Sequence, residues 1–299
     1  MEECRNCGTP NPKAMGFVGE VAPFFLKRVL NLEYGLAPSQ HPLKRALRKV
    51  SIFSKGFQKI YAKTVLVEMQ VCERCSFIQT KRAFQEDGIS NLYVDYRSDS
   101  YNQERIRYEP KYASIAAHVG ACAQELETRK LGLMQWLKGK VTPGANFSML
   151  DYGGADGKFL PDLPGRKHVF DISDVAAAPG IKKIKSEAEL TILLHSAYAH
   201  SGTRAISPGF GQKLASLLDD SGHLYVEVPQ ELDDHTRRRF EKLDSRIRLT
   251  IHEHINQYCL SAVTELFRSA GLSIVAIESE SVDLGWNKGT ILRGLGRRC

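Results

Sequence analysis

The pattern of apolar and polar positions changes character near residue 147. Downstream of it, short apolar runs recur between longer segments of mixed composition. FSML, KHVFDI, IKKI, LTILLH, HLYVEVP, LSIVAIES and TILRGLG read as seven strands. The clearest helix precedes the sixth of them, over 262–270. Ser261 stands at its N-cap, Val263, Leu266, Phe267 and Ala270 share one face, and Gly271 terminates it. Strands alternating with helices predict a mainly parallel α/β sheet covered on both faces. Such sheets bind ligands beyond the carboxyl ends of their strands.

Upstream the pattern is less regular. FFLKRVLNL (24–32) and PLKRALRKV (42–50) interleave apolar and basic residues at roughly helical spacing. Residues 81–140 are polar and tyrosine-rich before turning helical from Lys111 to Lys138, where Ile115, Val119, Cys122 and Leu126 recur close to a 3.6-residue period. Three regions follow: 1–80, bounded by cysteine pairs; 81–140, a tyrosine-rich and helical connector; and 141–299, the strand-rich domain. No Gly/Ser linker separates them, so the small domain is expected to pack on the large one.

Composition narrows the class. With 299 residues, 42% of them hydrophobic, the chain can bury a core of one large and one small domain. No apolar run approaches the roughly 18 residues that a membrane-spanning helix needs. The first twenty residues lack the charged-then-apolar order of a secretory signal, so a reducing cytoplasm is the expected location and a disulfide framework is not expected. The net charge of +7 is concentrated: between Lys13 and Lys63 stand ten Lys/Arg against two Glu. Local basicity of this kind points to a phosphate-bearing small molecule, an anionic membrane surface or nucleic acid, or else to a solvated basic face. Aromatic residues are not interleaved with the basic ones as a stacking platform requires, which speaks against nucleic acid.

Four of the seven cysteines form two pairs, Cys4-x2-Cys7 and Cys72-x2-Cys75. This spacing lets both thiolates of a pair reach one tetrahedral Zn²⁺. Four protein ligands close the coordination sphere, so the metal is expected to be structural. Cys122, Cys259 and Cys299 have no partner at useful spacing.

The first strand of the large domain runs into SMLDYGGADGKFL (148–160), an acid followed by Gly153, Gly154 and Gly157. A bare backbone lets a ligand approach the main chain. The register excludes the G-x-G-x-x-G dinucleotide fingerprint, and no G-K-[ST] is present for a P-loop. Asp156 adds negative charge to the loop, and Pro161 and Pro164 curtail any helix after it. A ligand carrying both ammonium and carboxylate groups suits this loop, with Asp151 or Asp156 facing the cation and backbone N–H groups the anion. At D-Y-G-G-A-D-G the sequence resembles the class I S-adenosylmethionine-dependent methyltransferases, with Ala155 where the family's middle alternate glycine stands. The resemblance implies a seven-stranded Rossmann-like sheet with S-adenosylmethionine held by Asp151, Gly153, Gly154 and Gly157. It also implies that Asp171, at the end of KHVFDIS, receives two ribose hydroxyls.

With the four cysteines and the tyrosine segment, most of the chain resembles the nucleotide-sugar C-methyltransferases. YVDYRSDSY (93–101) is similar to that family's segment over the substrate cleft, which points to Tyr96. AYAHSG (197–202) points to His200 as a base, and IHEHINQYC (251–259) points to Glu253 and His254. His252 is assigned no role, since an extended backbone turns it away from Glu253. The implied activity is methyl transfer to carbon or oxygen of a small phosphorylated metabolite, a nucleotide-linked sugar first among them, with the basic insertion meeting the phosphates. Two other readings stay open: a nucleic-acid methyltransferase gripping its polymer with the zinc unit, and a cofactor-binding interaction protein without turnover whose 24–50 segment docks a membrane or a partner. The sequence leaves the oligomeric state open.

Overall fold

The computed structural model describes residues 2–32, 65–118, 123–186, 189, 194–199, 209–230, 232, 248–285 and 288–298. They form two sheets. The smaller has four strands, β1 (Lys13–Val21), β2 (Val65–Val71), β3 (Ile78–Thr80) and β9 (Leu249–Ile251), in the order β3-β2-β1-β9. The larger has seven: β4 (Ser148–Tyr152), β5 (Arg166–Phe170), β6 (Ile181–Ile184), β7 (Leu194–Ala199), β8 (Leu218–Pro229), β10 (Leu272–Asp283) and β11 (Lys288–Arg298). Their order is β10-β11-β8-β7-β4-β5-β6. Strands β4 to β8 are mutually parallel, and β11 runs antiparallel to both of its neighbours.

All five residues of β4 are buried, as expected of a parallel strand covered on both faces. Leu150 and Tyr152 face a core completed by helices α5 (Phe210–Ser216) and α6 (Leu260–Ser269). Met149 faces the opposite way, onto Leu133, Trp136 and Leu137 of helix α4 (Ala123–Leu137). Val119 and Cys122, expected on that helix, lie outside the described residues. Leu126 is only half-buried, because α4 turns Glu125, Leu133, Trp136 and Leu137 inward instead. Among the described residues no helix is long and apolar enough to cross a membrane.

Three boundaries differ from the sequence reading. The strand expected at LTILLH continues past His195 to Ala199, in parallel register with β4 from Met149↔Ser196 to Tyr152↔Ala199, while residues 190–193 of that run lie outside the described residues. Strands β10 and β11 extend beyond their apolar runs, because the hairpin ladder continues through Glu280↔Ile291 to Asp283↔Lys288. Helix α6 starts at Leu260 with Cys259 at its N-cap, and the Ser261 hydroxyl donates instead to the Cys75 carbonyl at 3.1 Å. The cysteine knuckle thus takes the hydroxyl that was expected to cap the helix.

The small sheet is not confined to the N-terminal region. β9 pairs in parallel with β1, Gly19↔Leu249 to Val21↔Ile251, so a segment following β8 completes it. Helices α1 (Pro23–Leu30), α2 (Glu86–Tyr93) and α3 (Asp99–Tyr108) share its core through Phe24, Phe25, Ile89, Leu92 and Tyr101. Phe24 meets Tyr101 edge-on at 5.0 Å between centroids. The basic residues of 42–50 lie outside the described residues. Arg28 is committed to Asp95 at 3.0 Å and to Glu104, so part of the basic patch serves the fold.

One buried and one half-buried histidine set an acid limit. Burial lowers the pKa of His168 on β5, only partly offset by the ring Nδ1–H donating to the Met149 carbonyl at 3.3 Å, and burial with nearby Arg297 lowers that of His223 on β8. The unfolded chain therefore takes up protons near about pH 6.5 that the folded chain refuses. Stability is complete above that value and falls as the pH drops toward the lowered folded pKa values. The melting temperature is expected to fall between about pH 7.5 and pH 5.5, and to fall less in a His168→Gln/His223→Gln double variant. Equal falls in the two proteins would rule the histidines out as the cause.

Candidate functional site

The glycine stretch forms a bend directly after β4. Gly153 (φ +83°) and Ala155 (φ +53°) are left-handed, and Gly153 N–H bonds the Phe170 carbonyl at 2.7 Å, continuing the sheet by one residue. A Cβ placed on Gly154 would lie 2.0 Å from the Asp151 carboxylate, so the bend closes over that side chain and only glycine fits. No helix forms between Gly153 and Gly165, in keeping with Pro161 and Pro164.

Asp171 follows β5 and ties the next loop to this bend. Its Oδ2 accepts the Ala155 N–H at 2.8 Å, and its Oδ1 accepts both the Ser173 N–H at 2.8 Å and the Ser173 hydroxyl at 2.5 Å. Lys183, at the end of β6, donates to the carbonyls of Val175 (3.0 Å), Ser173 (3.1 Å) and Ala155 (3.4 Å). A carboxylate offers about four acceptor positions; three are used, and the one remaining is on Oδ2.

These loops border a cavity of about 430 Å³. On one side it is lined by Gly153, Gly154, Ala155 and Asp171, with Glu227 and Pro229 at the end of β8. On the other it is lined by Tyr93, Tyr96, Arg97, Arg105 and Tyr112 from the tyrosine segment, and by the run His252–Glu253–His254. That run follows β9, not a strand of the large sheet, so the small sheet delivers it to the cleft. The backbone bends there after β9 ends, and His252 and His254 both line the cavity with ring centroids 5.2 Å apart. The expectation that His252 faces away is thereby corrected.

Glu253 is held from several sides of the cleft. Its Oε1 accepts the Tyr101 hydroxyl at 3.0 Å and Arg105 Nη1 at 2.5 Å, and its carbonyl accepts the Tyr93 hydroxyl at 3.2 Å. Burial works against its charge, but Arg105 and Arg97, with His254 and His252, outweigh that and hold its carboxyl below the usual range. Glu253 is therefore a carboxylate at neutral pH. Burial and the Glu253 charge raise the pKa of Tyr96, which keeps its phenol protonated and able to donate. Opposite in sequence but adjoining in space, Glu227 accepts Tyr225 (2.7 Å), Arg129 (2.6 Å) and Arg293 (3.4 Å).

Of the residues singled out in the sequence, Gly153, Gly154, Asp171, Tyr96, Glu253 and His254 meet at this cavity. Asp151 and Gly157 do not line it. Asp151 is 1% exposed beneath Gly154, on the α4 side of the sheet, because strand alternation turns it the same way as Met149. Asp156, the other acid considered for the ligand's cation, bonds instead to Lys158, through its backbone N–H at 3.2 Å and its ammonium at 3.5 Å. His200 lies outside the described residues. The sequence reading missed Arg97, Arg105, Arg129, Glu227 and Lys183. One of them carried a signal: an acid inside the apolar run HLYVEVP marks a buried carboxylate with partners.

A second cluster lies apart from the cavity. The thiols of Cys4, Cys7, Cys72 and Cys75 all fall within 4.8 Å of one another. Cys4 and Cys75 are 3.7 Å apart at sulfur, and Cys7 and Cys72 are 3.6 Å apart. With Zn–S bonds of about 2.3 Å, a tetrahedron has S···S edges of roughly 3.8 Å, so the donor set fits zinc. Burial pushes the Cys72 thiol up to about 11. Asn6 Nδ2 also approaches Cys75 Sγ at 3.6 Å and donates to the Ala262 carbonyl at 2.9 Å, tying the cluster to α6.

No protein-family model matches the chain, and no curated protein matches it by sequence. Among solved structures it is similar to the 1,6-didemethyltoxoflavin-N1-methyltransferase of Burkholderia thailandensis, solved with S-adenosylhomocysteine: 13% identity over 78% of this chain and 95% of that one, TM-score 0.44. The magnesium protoporphyrin IX methyltransferase of Synechocystis, also with S-adenosylhomocysteine, matches at 12% identity over 71% of this chain and 100% of that one, TM-score 0.43. The geranyl diphosphate C-methyltransferase of Streptomyces coelicolor matches at 9% identity over 68% and 86%, TM-score 0.39. These likenesses are remote, and none of them places a residue of the site.

Proposed function

We propose that the chain is an S-adenosylmethionine-dependent methyltransferase acting on a small phosphorylated metabolite, a nucleotide-linked sugar first among the candidates. One observation carries the reading. The order β6-β5-β4-β7-β8 reverses direction at β4, and a cleft opens there, at the carboxyl ends of the strands, between the glycine bend and Asp171. Open α/β sheets bind their ligands at such a switch point. The bend supplies bare backbone for the amino-acid end of the cofactor, and the free acceptor position on Asp171 Oδ2 suits one ribose hydroxyl. A second hydroxyl on Asp171 requires the Ser173 hydroxyl to rotate away.

When bound, S-adenosylmethionine supplies an already activated methyl group. The protein then has to orient the nucleophile, exclude water and accept a proton. Tyr93, Tyr112, Phe159 and Phe210 line the cleft and displace water from it. Tyr96 donates to a substrate oxygen. His254, beside the ionised Glu253, is one candidate base; His200, the residue after the end of β7, is the other. Zinc on Cys4, Cys7, Cys72 and Cys75, with no open position, supports the fold and takes no part in the transfer.

Calorimetry with S-adenosylhomocysteine is the direct test. The wild-type chain is expected to bind it, and Gly154→Ala to weaken binding about tenfold or more, in line with the 1–3 kcal/mol that overpacking costs. Folded wild-type protein that gives no heat with either S-adenosylhomocysteine or S-adenosylmethionine would end the proposal.

A further inference from the structure

Three guanidinium groups line the cleft, and two of them are neutralised by the protein. Arg105 pairs with Glu253 at 2.5 Å and Glu109 at 3.0 Å. Arg129 pairs with Glu227 at 2.6 Å and approaches Glu125 at 3.8 Å. Arg97 makes no ion pair within 4.0 Å among the described residues. It lies over the Tyr96 ring, 4.9 Å from the centroid, and its Nε is buried with no hydrogen-bond partner. A guanidinium does not deprotonate in proteins. The charge of Glu253 reaches Arg97, but Glu253 is in direct contact with Arg105 instead, so the half-buried Arg97 keeps part of a desolvation cost that a bound anion relieves.

The loop that presents Arg97 is held firmly. Asp95 (φ +54°) and Arg97 (φ +62°) are both left-handed, a conformation that non-glycine residues keep only when their surroundings impose it. The surroundings do so here. Asp95 accepts Arg28 Nη1 at 3.0 Å, the Ser100 hydroxyl at 2.8 Å and, at its carbonyl, the Ser98 N–H at 2.9 Å. The Arg97 carbonyl accepts Asn102 Nδ2 at 3.3 Å. Side chains that could relax the loop are thus spent on fixing it, while the buried Nε of the guanidinium keeps an open hydrogen-bonding position.

We infer that Arg97 is the cleft's receptor for an oxyanion on the substrate, a phosphate or a carboxylate. It stands on the tyrosine-segment wall, not at the strand ends where the glycine bend and Asp171 lie, so it serves the substrate and not the cofactor. Its planar fork suits two oxygens of either group. This deepens the proposed function and rests on it for the identity of the second ligand. It also moves the anion contact from the basic stretch between Lys13 and Lys63, whose Arg28 is already paired with Asp95 and Glu104, into the cleft itself.

The test titrates three probes separately by calorimetry: uridine diphosphate, glucuronate as a carboxylate without phosphate, and S-adenosylhomocysteine. Arg97→Gln is expected to weaken the oxyanion probe that binds by about 10–100-fold, the worth of a charge-assisted contact, and to leave S-adenosylhomocysteine within about twofold. Arg97→Lys should restore part of the loss. Dependence on Arg97 for uridine diphosphate identifies phosphate as the group, and for glucuronate, carboxylate; both support the inference. Unchanged oxyanion binding in Arg97→Gln, an equal loss of S-adenosylhomocysteine, or no binding of either oxyanion by the wild type overturns it. If uridine diphosphate binds through Arg97 while S-adenosylhomocysteine does not bind at all, the methyltransferase reading fails and the role of Arg97 stands.

Discussion

Cys75→Ser is expected to lose zinc and to destabilise both sheets together. The cluster is not an appendage that can melt alone. Cys4, Cys72 and Cys75 are each no more than 1% exposed, and they share one apolar core with Leu150 of β4, Val226 of β8 and Ala262, Val263 and Phe267 of α6. The Ser261 and Asn6 contacts described above add polar ties across the same junction. A structural zinc site contributes about 10–16 kcal/mol of apparent binding free energy, against a net stability of about 5–15 kcal/mol for a typical domain. Loss of one ligand therefore removes a large share of what holds the junction, and the variant is expected to stay only marginally folded. Metal analysis should give one zinc per wild-type chain and none in the variant. Its far-ultraviolet circular dichroism should melt at least 15 °C lower, by roughly the shift that several kcal/mol produces in a chain of this size. Cys259→Ser is the control: Cys259 Sγ reaches the Cys75 carbonyl at 3.7 Å but lies outside the four-thiol cluster, and this variant should keep its zinc. A zinc-free Cys75→Ser that melts within two or three degrees of wild type would show that the metal is not what holds the junction.

The parts of this molecule that were legible in advance are those whose cause is local. The apolar run of β4 stands at its expected position because a parallel strand buried on both faces must be apolar nearly throughout. Strands β5 and β6, nearer the sheet edge, are marked by the buried apolar residues at their carboxyl ends, Val169 and Phe170 on β5 and Ile184 on β6. The two C-x2-C pairs were legible for the same reason, since each pair needs only one turn to converge. What remained hidden depends on long-range pairing. Nothing in RLTIHE shows that Leu249–Ile251 joins β1, more than two hundred residues earlier, yet that pairing carries Glu253 into the cleft. Likewise the polar alternation ESESVD conceals the end of β10, because an edge hairpin is held by its ladder and not by burial. Asp151 was assigned to the ligand from its place before the glycines. The strand's two-residue period turns it to the other face, and its carboxylate is the reason Gly154 must be glycine. Arg97 lies inside YVDYRSDSY, but a sequence does not reveal which of several arginines stands without a direct ion pair.

The second large effect is expected at Glu253, and it falls on turnover. Glu253→Gln keeps the size of the side chain and leaves Arg105 a carboxylate, since Glu109 pairs with it at 3.0 Å, so the fold should survive the change. What the variant loses is the negative charge that stands between His252 and His254 in sequence and beside both in the cleft. That charge favours an imidazolium over an imidazole, so it makes a neighbouring histidine a better proton acceptor. It also gives a substrate hydroxyl a strong acceptor. A positioned base or its orienting carboxylate contributes about 10²–10⁴-fold to rate, and kcat should fall within that range. Asp171 and the glycine bend are built from other loops, so the affinity for S-adenosylhomocysteine should stay within about twofold, well under the tenfold that 1.4 kcal/mol represents. Tyr101→Phe removes one hydrogen bond to Glu253 Oε1 while leaving the charge, and it should cost far less than Glu253→Gln. If the two variants lose the same amount of activity, the carboxylate acts only as a strut for the tyrosine segment, and the proton must be taken elsewhere.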